Sequence, residues 1–100
     1  MNEAEKIKLI SKSYTFDEIG QAVETEKESA VFAWIRSASA SETNQAEDGF
    51  KREFVFNVRV NAYKGEDELE YKGIRYSIYR TYRNTFNGID ELYTQRRVGT

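Results

Sequence analysis

Residues 54–62 of this 100-residue chain read FVFNVRVNA and alternate apolar with polar side chains. Every even position is apolar, and Asn57, Arg59 and Asn61 occupy three of the four intervening positions. A period of two is typical of a β-strand, because successive side chains point to opposite faces. We therefore predict a strand whose even-numbered residues face the core, namely Phe54, Phe56, Val58, Val60 and Ala62.

Downstream of this stretch the sequence predicts three further strands joined by hairpin turns. Tyr63 to Glu66 turns the chain, and Lys72-Gly73 forms a two-residue hairpin connection in which glycine tolerates a positive φ angle. A second turn, containing Asn87-Gly88, follows later in the chain. The predicted strands are Leu69 to Tyr71, Ile74 to Tyr82 and Asp90 to Arg97.

Upstream, two more strands are predicted, over Ile7 to Lys12 and over Lys27 to Ser37. Between them Thr15 to Val23 shows no period and is expected to be a loop or wide turn. Six short strands without proline favour a mainly β fold, a small six-stranded barrel or sandwich with one long polar loop, because closure or stacking hides sheet edges. We expect one domain spanning residues 1–100, with residues 1–5 disordered.

Composition and charge narrow the function classes. The chain contains no cysteine and no run long enough to span a membrane, and its N-terminus, MNEAEKIK, is too charged for a secretory signal, so synthesis in the cytosol is expected. Residues 1–50 carry 5 Lys and Arg against 10 Asp and Glu, whereas residues 51–100 carry 10 against 7. A solvated surface explains this asymmetry most simply, although acidic and basic sides could also stack head to tail.

The side chains most used in catalysis are missing. Without histidine and cysteine the commonest general base, nucleophile and metal ligands are absent. The acidic run from Glu66 to Glu68 is expected to be a solvated turn and not a metal or paired-carboxylate site. No glycine-rich phosphate loop is present. We therefore predict a binding protein with no catalytic residue, cofactor or metal.

One segment, Ala38 to Gly49, cannot belong to the core. It reads ASASETNQAEDG and holds no aromatic or large aliphatic side chain. Ser39 and Glu42 have the spacing of a helix capping box, with Ser41 as an alternative cap, so a turn or two of helix is expected through Glu42 to Glu47. A loop of this length is either a mobile surface excursion or a working element.

Tyrosines and arginines interleave through residues 71–83, along the predicted hairpin that Lys72-Gly73 connects. Such a set could bind a nucleic acid, with tyrosine rings that stack on bases beside arginines that contact phosphates. Its members are Tyr71, Arg75, Tyr76, Tyr79, Arg80, Tyr82 and Arg83. Alternation, however, directs Ile74, Tyr76 and Ile78 toward the core. Tyrosine and arginine are also favoured at protein interfaces, which is the interpretation we prefer. The candidate interface residues are Tyr79, Arg80, Tyr82, Arg83, Arg96 and Arg97.

The order of these segments resembles the small head closure proteins of tailed bacteriophages, also called head-tail joining or stopper proteins. The resemblance covers about Ile7 to Gly99. It rests on VFAWIRSASASE before the polar loop, on an alternating strand ending in Ala62-Tyr63, and on an acidic turn before the hairpin YKGIRY at residues 71–76. The strand closing with YRTY at residues 79–82 and the final ELYTQRRVG complete it.

This resemblance implies a small β-barrel whose copies form a ring in the virion neck, beneath the portal and its adaptor. The ring would hold packaged DNA in the head, without sequence specificity, and offer a docking surface for the tail or its terminator protein. A long loop between two strands would project toward the channel. Here that loop is Ala38 to Gly49, with the candidate channel residues Ser39, Ser41, Glu42, Asn44, Gln45, Glu47 and Asp48.

Two alternatives remain at the sequence level. A small barrel that binds single-stranded nucleic acid is the main alternative from another class, and its phosphate contacts would make binding steeply dependent on salt. Within the neck, a tail terminator or adaptor is the other alternative.

The acidic residues of the loop, Glu42, Glu47 and Asp48, would repel DNA and let it slide through the channel. Closure would then rely on the bulk of the loop and on pairing between loops.

Overall fold

A computed structural model describes residues 3–98 of the chain. Within that range the backbone forms seven strands and one short helix. In chain order these elements are β1 (Glu5–Phe16), β2 (Ala22–Ser37), α1 (Ala40–Asn44), β3 (Phe50–Lys51), β4 (Phe54–Arg59), β5 (Glu68–Tyr71), β6 (Ile74–Asn84) and β7 (Ile89–Arg97).

Six of these strands close into an antiparallel barrel. Their order around it is β7-β4-β2-β1-β5-β6, and β6 pairs in turn with β7, so that the two ends of the sheet meet. The two residues of β3 lie outside the ring of strands and pair with Arg96 and Arg97 of β7. Closure removes most of the unpaired backbone that an open sheet presents. The predicted mainly β class and six-stranded barrel are confirmed, and β3 is an additional strand.

Aromatic rings fill much of the barrel interior. Phe56 is fully buried, and the centroid of its ring lies 5.5 Å from that of Tyr71, 5.7 Å from Tyr76 and 6.0 Å from Phe54. Such tilted and edge-on arrangements suit the ring quadrupoles. Aliphatic residues complete the core cluster: Ile7, Leu9, Ala33, Val58, Leu69 and Leu92.

The predicted stripe of residues 54–62 is confirmed for its first half only. Phe56 and Val58 are buried and Phe54 packs against them, but β4 ends at Arg59. Asn61 adopts a positive φ of 83°, which breaks the extended backbone, so Val60 and Ala62 lie in the following turn. Ala62 still packs against the core from there. Tertiary turn geometry thus ends the strand before the sequence pattern does.

Hairpin turns lie close to where the sequence predicts them. Lys72 and Gly73 both have positive φ, 51° and 78°, as a tight two-residue hairpin requires.

The prediction of which β6 side chains face the core is wrong at one position. Tyr76 is 2% exposed and Ile78 packs on the core, but Ile74 is 44% exposed beside the Lys72-Gly73 turn. A register shift between Ile78 and Arg80 changes how the second half of β6 pairs with β7.

The predicted loop or wide turn over Thr15 to Val23 is a turn, but its bounds are wrong. β1 runs to Phe16 and β2 starts at Ala22, five residues before the predicted Lys27. Only a short turn joins them, in which the Asp17 carboxylate accepts hydrogen bonds from the N–H groups of Ile19 and Gln21. The strands are in register from Glu5↔Ala33 to Phe16↔Ala22.

Much of this hairpin projects beyond the barrel. β1 pairs with β5 only over Lys8–Ile10, and β2 pairs with β4 only over Trp34–Ser37. We call residues 11–30 the arm. The molecule measures 52 × 35 × 23 Å.

The N-terminal segment, residues 1–5, was expected to be disordered. Glu5 lies at the start of β1 and accepts a hydrogen bond from the Tyr71 hydroxyl. Residues 1 and 2 lie outside the described range.

Candidate functional site

The polar segment Ala38 to Gly49 is folded. The Ser39 hydroxyl accepts a hydrogen bond from the Glu42 N–H at 3.2 Å, and the Glu42 carboxylate accepts one from the Ser39 N–H at 3.0 Å. This reciprocal pair is the predicted capping box. Because the cap is at Ser39, α1 begins at Ala40 and ends at Asn44, before the predicted end at Glu47. Ser41 therefore lies inside the first turn and is not the cap.

Backbone hydrogen bonds close both ends of this segment. The Ala38 N–H donates to the Glu53 carbonyl at 2.8 Å, and the Val98 N–H donates to the Gly49 carbonyl at 2.9 Å. β3 then binds the returning chain to β7. The segment leaves the barrel and rejoins it through these paired positions, so its path over the surface is defined at both ends.

Two arginines dock the segment onto the outside of the barrel. An Arg36 guanidinium nitrogen lies 3.4 Å from the Glu42 carboxylate. Arg52 donates to the Glu42 carbonyl at 3.4 Å and to the Gln95 side chain at 3.2 Å. Its guanidinium carbon also lies 3.9 Å from the centroid of the Tyr79 ring. These contacts connect the helical turn, the base of the segment and the β6–β7 sheet.

The sheet surface under the segment is aromatic and basic. The rings of Tyr79 and Tyr93 meet edge-on at 6.4 Å. The Arg80 guanidinium lies 4.1 Å from the Tyr93 ring centroid, and that of Arg36 lies 5.7 Å from it. We call these tyrosines, together with Arg80 and Gln95, the docking face. The structure thus brings the predicted loop together with two of the predicted interface residues, Tyr79 and Arg80.

The other candidate interface residues are spread over β6 and β7. Arg83 donates to both oxygens of the buried Asp90, at 2.8 and 3.2 Å. Arg96 pairs with Glu53, and the Arg97 guanidinium lies 4.9 Å from the Phe50 ring centroid. Each of these cations therefore has a partner within the chain. Tyr82, in contrast, is 57% exposed.

The acidic character of the segment is concentrated at its far end. The Glu42 side chain is only 19% exposed and faces the docking contacts. Partial burial acts to raise the pKa of Glu42, but the Ser39 N–H and Arg36 outweigh it and lower the pKa below its ordinary value. The exposed acids are Glu47 and Asp48. Ser39, Ser41, Asn44 and Gln45 are exposed as well.

The acidic turn before β5 is less solvated than predicted. Glu66 is 8% exposed, and its carboxylate accepts a hydrogen bond from the Lys64 N–H at 2.7 Å. Glu68 lies in β5 and bridges Lys12 at 3.4 Å and Arg75 at 3.3 Å. These two carboxylates therefore have structural roles, one in shaping a turn and the other in linking strands. Within residues 3–98 no cluster of three potential metal ligands is found.

The sequence analysis predicted strand at the two ends of the arm, residues 11–12 and 27–30, but missed its outer part. Its exposed apolar side chains are Tyr14, Phe16, Ile19 and Val23. Strands that are solvated on both faces carry no apolar alternation, and β2 opens with AVETEKES, so a period search finds no strand there. The available signal was the turn chemistry of Asp17 to Gln21, with Gly20 at a positive φ of 83°.

No protein-family model matches the chain, and no curated protein matches it either. Among the described residues, no helix has both the length and the apolar composition needed to cross a bilayer.

Proposed function

We propose that the protein is a structural component of the neck of a tailed bacteriophage, in which its copies form a ring that closes the DNA-filled head and joins it to the tail. The observation that carries this proposal is a closed six-stranded barrel with a polar segment docked on its outer surface. The resemblance of the sequence implies a small barrel with a long polar loop between two strands, and in this structure the corresponding segment lies against the barrel. The protein would act by binding and assembly, not by catalysis.

The polar segment suits a channel that contains DNA. In a ring, twelve residues without a large apolar side chain can face water and phosphate without loss of core packing. Glu47 and Asp48 are exposed and would repel the DNA backbone, so the DNA would slide through the channel and not adhere to it. Closure would then depend on the bulk of the segment and on contacts between neighbouring segments.

The arrangement of the tyrosines favours this proposal over binding of single-stranded nucleic acid. Tyr71 and Tyr76 are core residues, and Arg52 and Arg80 already lie over the rings of Tyr79 and Tyr93. Stacking of bases needs exposed ring faces beside free cations. The docking face has neither arrangement, since its rings are covered from within the chain.

The proposal defines the partners and the location. Other copies of the chain, the adaptor and portal complex and the tail or its terminator would contact the protein, while packaged DNA would pass through the ring without sequence-specific contacts. Synthesis would take place in the bacterial cytoplasm and assembly in the virion neck. No cofactor is required for this role.

The deciding experiment uses DNA-filled, tailless heads of the phage that encodes the chain, assembled without this protein. We expect such heads to lose DNA to added nuclease and to join purified tails poorly, and we expect added protein to restore both. Heads that retain DNA and join tails at the normal rate without the protein would contradict the proposal.

Two further measurements separate the alternatives. A tail terminator would bind purified tails before it binds heads, so the order of binding distinguishes it from a head closure protein. A single-strand binder would retain labelled oligonucleotide with an affinity that falls steeply with salt. We expect neither behaviour from the isolated protein.

A further inference from the structure

The arm, residues 11–30, has features of a binding element. Tyr14 is 66% exposed, Phe16 76%, Ile19 77% and Val23 42%. Tyr14 and Phe16 lie on one face of β1, since they are two residues apart in a strand. Large apolar side chains gathered at the end of a projection mark a surface that a partner covers.

The arm is acidic and has unpaired strand edges. Residues 13–25 contain Asp17, Glu18 and Glu24 and no lysine or arginine. Beyond Ile10, β1 pairs only with β2 among the described strands, and β2 pairs only with β1 before Trp34. A strand edge of this kind can pair with an edge of another chain.

Ion pairs at the base of the arm hold its direction. Arg75 of β6 reaches Glu26 of β2 at 2.8 Å and Glu68 of β5 at 3.3 Å. Lys12 of β1 lies 3.4 Å from Glu68 and 3.6 Å from Glu24. The arm therefore projects in an orientation set by the barrel, which lowers the entropy lost when a partner binds it.

A complementary surface lies on the second half of β6. After Ser77, β6 pairs with β7 on one side and with no described strand on the other. Residues 78–89 contain Arg80 and Arg83 and no acidic residue; Arg83 pairs with the neighbouring Asp90, and Arg80 is exposed. Tyr82 is 57% exposed, and Phe86, in the turn between β6 and β7, is 100% exposed. We call residues 79–86 the β6 edge.

We propose that the arm of one copy packs against the β6 edge of the next copy in the ring. The acidic arm meets a segment in which Arg80 is exposed, apolar side chains of the arm cover Tyr82 and Phe86, and two open strand edges come together. The contact is head to tail, because the arm and the β6 edge are different surfaces, and such a contact generates a ring when its rotation closes. This inference rests on the proposed ring of copies.

Cysteine cross-linking tests the contact directly, because the natural chain has no cysteine. Thr15→Cys places a thiol on the arm and Thr85→Cys places one on the β6 edge, both at exposed positions. The two variants are mixed at high concentration, and also bound together to tailless heads, and are treated with a short bis-maleimide. We expect heterodimers in preference to either homodimer.

The matched control replaces Thr85→Cys by Ser37→Cys, an exposed position at the opposite end of β2. Yields of heterodimer equal to those of this control, both in solution and on heads, would overturn the inference. Introducing Phe16→Ser into the Thr15→Cys variant should lower the association constant about tenfold, because it removes a large apolar side chain from the contact. An unchanged yield with Phe16→Ser would also contradict the packing proposed here.

These results are distinguishable from failure of the neck function. If heads need the protein to retain DNA but the thiols do not cross-link above the control, only the arm contact is wrong. If the thiols cross-link selectively but heads retain DNA without the protein, the contact between copies stands and the neck function is wrong.

Discussion

At the scale of single residues, Phe56 is the most deeply buried of the four clustered rings. It is 0% exposed, and three aromatic rings lie within 6.0 Å of its centroid. On the same strand Asn57 is only partly buried and faces away from that cluster. The two neighbours therefore provide a matched test of strand parity.

Replacing Phe56 by Ala should lower the free energy of unfolding by about 3–5 kcal/mol, because the substitution removes a buried ring and leaves a cavity among the others. Asn57→Ala, on the opposite face, should cost less than about 1 kcal/mol. Urea denaturation of both variants measures the difference. Equal losses of stability would show that β4 does not present Phe56 to the core.

At the scale of elements, the attachment of the arm depends on charges that lie on four strands, β1, β2, β5 and β6. Hydrogen bonding to Arg75 is the main cause that lowers the pKa of Glu26 below its ordinary value of 4.5. The pKa of Lys12 is raised, chiefly by Glu68, so Lys12 stays charged at acidic and neutral pH. Glu26 and Lys12 are thus both ionised at neutral pH.

The arm should loosen at acidic pH. A carboxylate whose pKa is lowered by folding stabilises the folded arrangement above its unfolded pKa, and this stabilisation is lost as the pH falls through the lower folded value. For Glu26 that window lies below pH 4.5. NMR order parameters of residues 11–30 should therefore fall below pH 4.5 while those of β4 and β7 hold.

Arg75→Gln supplies the control for this effect, because it removes the cation and keeps a polar, though shorter, side chain. The variant should show the loosened arm at neutral pH and little further change on acidification. Arm order parameters that are the same in both proteins at every pH would mean that the network does not set the direction of the arm.

For individual elements, the sequence pattern was sufficient to predict a strand where one face of that strand is buried. The stripe at Phe56 and Val58, the Lys72-Gly73 turn and the capping box at Ser39 follow from local rules and are found in the structure. The outer part of the arm could not be predicted in this way, because its strands are solvated on both faces. β3 is two residues long, too short to show any period.

The candidate site shows the same division. The sequence predicted a polar segment and a set of tyrosines and arginines, but not that Arg52 would join them. Its contacts with Tyr79 and Gln95 connect residues far apart in the chain, and only the closed barrel brings these together. Long-range pairing of this kind has no signal in local spacing.

At the scale of the whole molecule, the barrel carries two separate additions, the docked segment and the arm. Neither addition contributes a residue of the hydrophobic core cluster. Loss of either should therefore leave the barrel folded. The stability of the scaffold and the action of its additions can accordingly be measured in separate assays on the same variants.

Shortening Ala38 to Gly49 to a four-residue turn should remove the closing function and preserve the fold. Loop-closure entropy favours the shorter connection by about 1 kcal/mol, from (3/2)RT ln(12/4). The shortening also removes Glu42, and with it the ion pair to Arg36 and the hydrogen bond from Arg52, which offsets this gain by a similar amount. Thermal unfolding of the shortened protein should therefore occur within a few degrees of that of the natural protein.

The functional consequence should be large. Shortened protein should still bind tailless heads through its barrel, yet those heads should lose DNA in a nuclease-protection assay, because the bulk that blocks the channel is gone. Glu47→Gln with Asp48→Asn is the matched control: it keeps the bulk and removes the exposed charge. Heads sealed by this double variant should retain DNA but release it more slowly on infection, since the channel surface no longer repels phosphate. Full retention with the shortened protein would show that Ala38 to Gly49 is a passive surface segment, and the closing action would then have to come from the barrel itself.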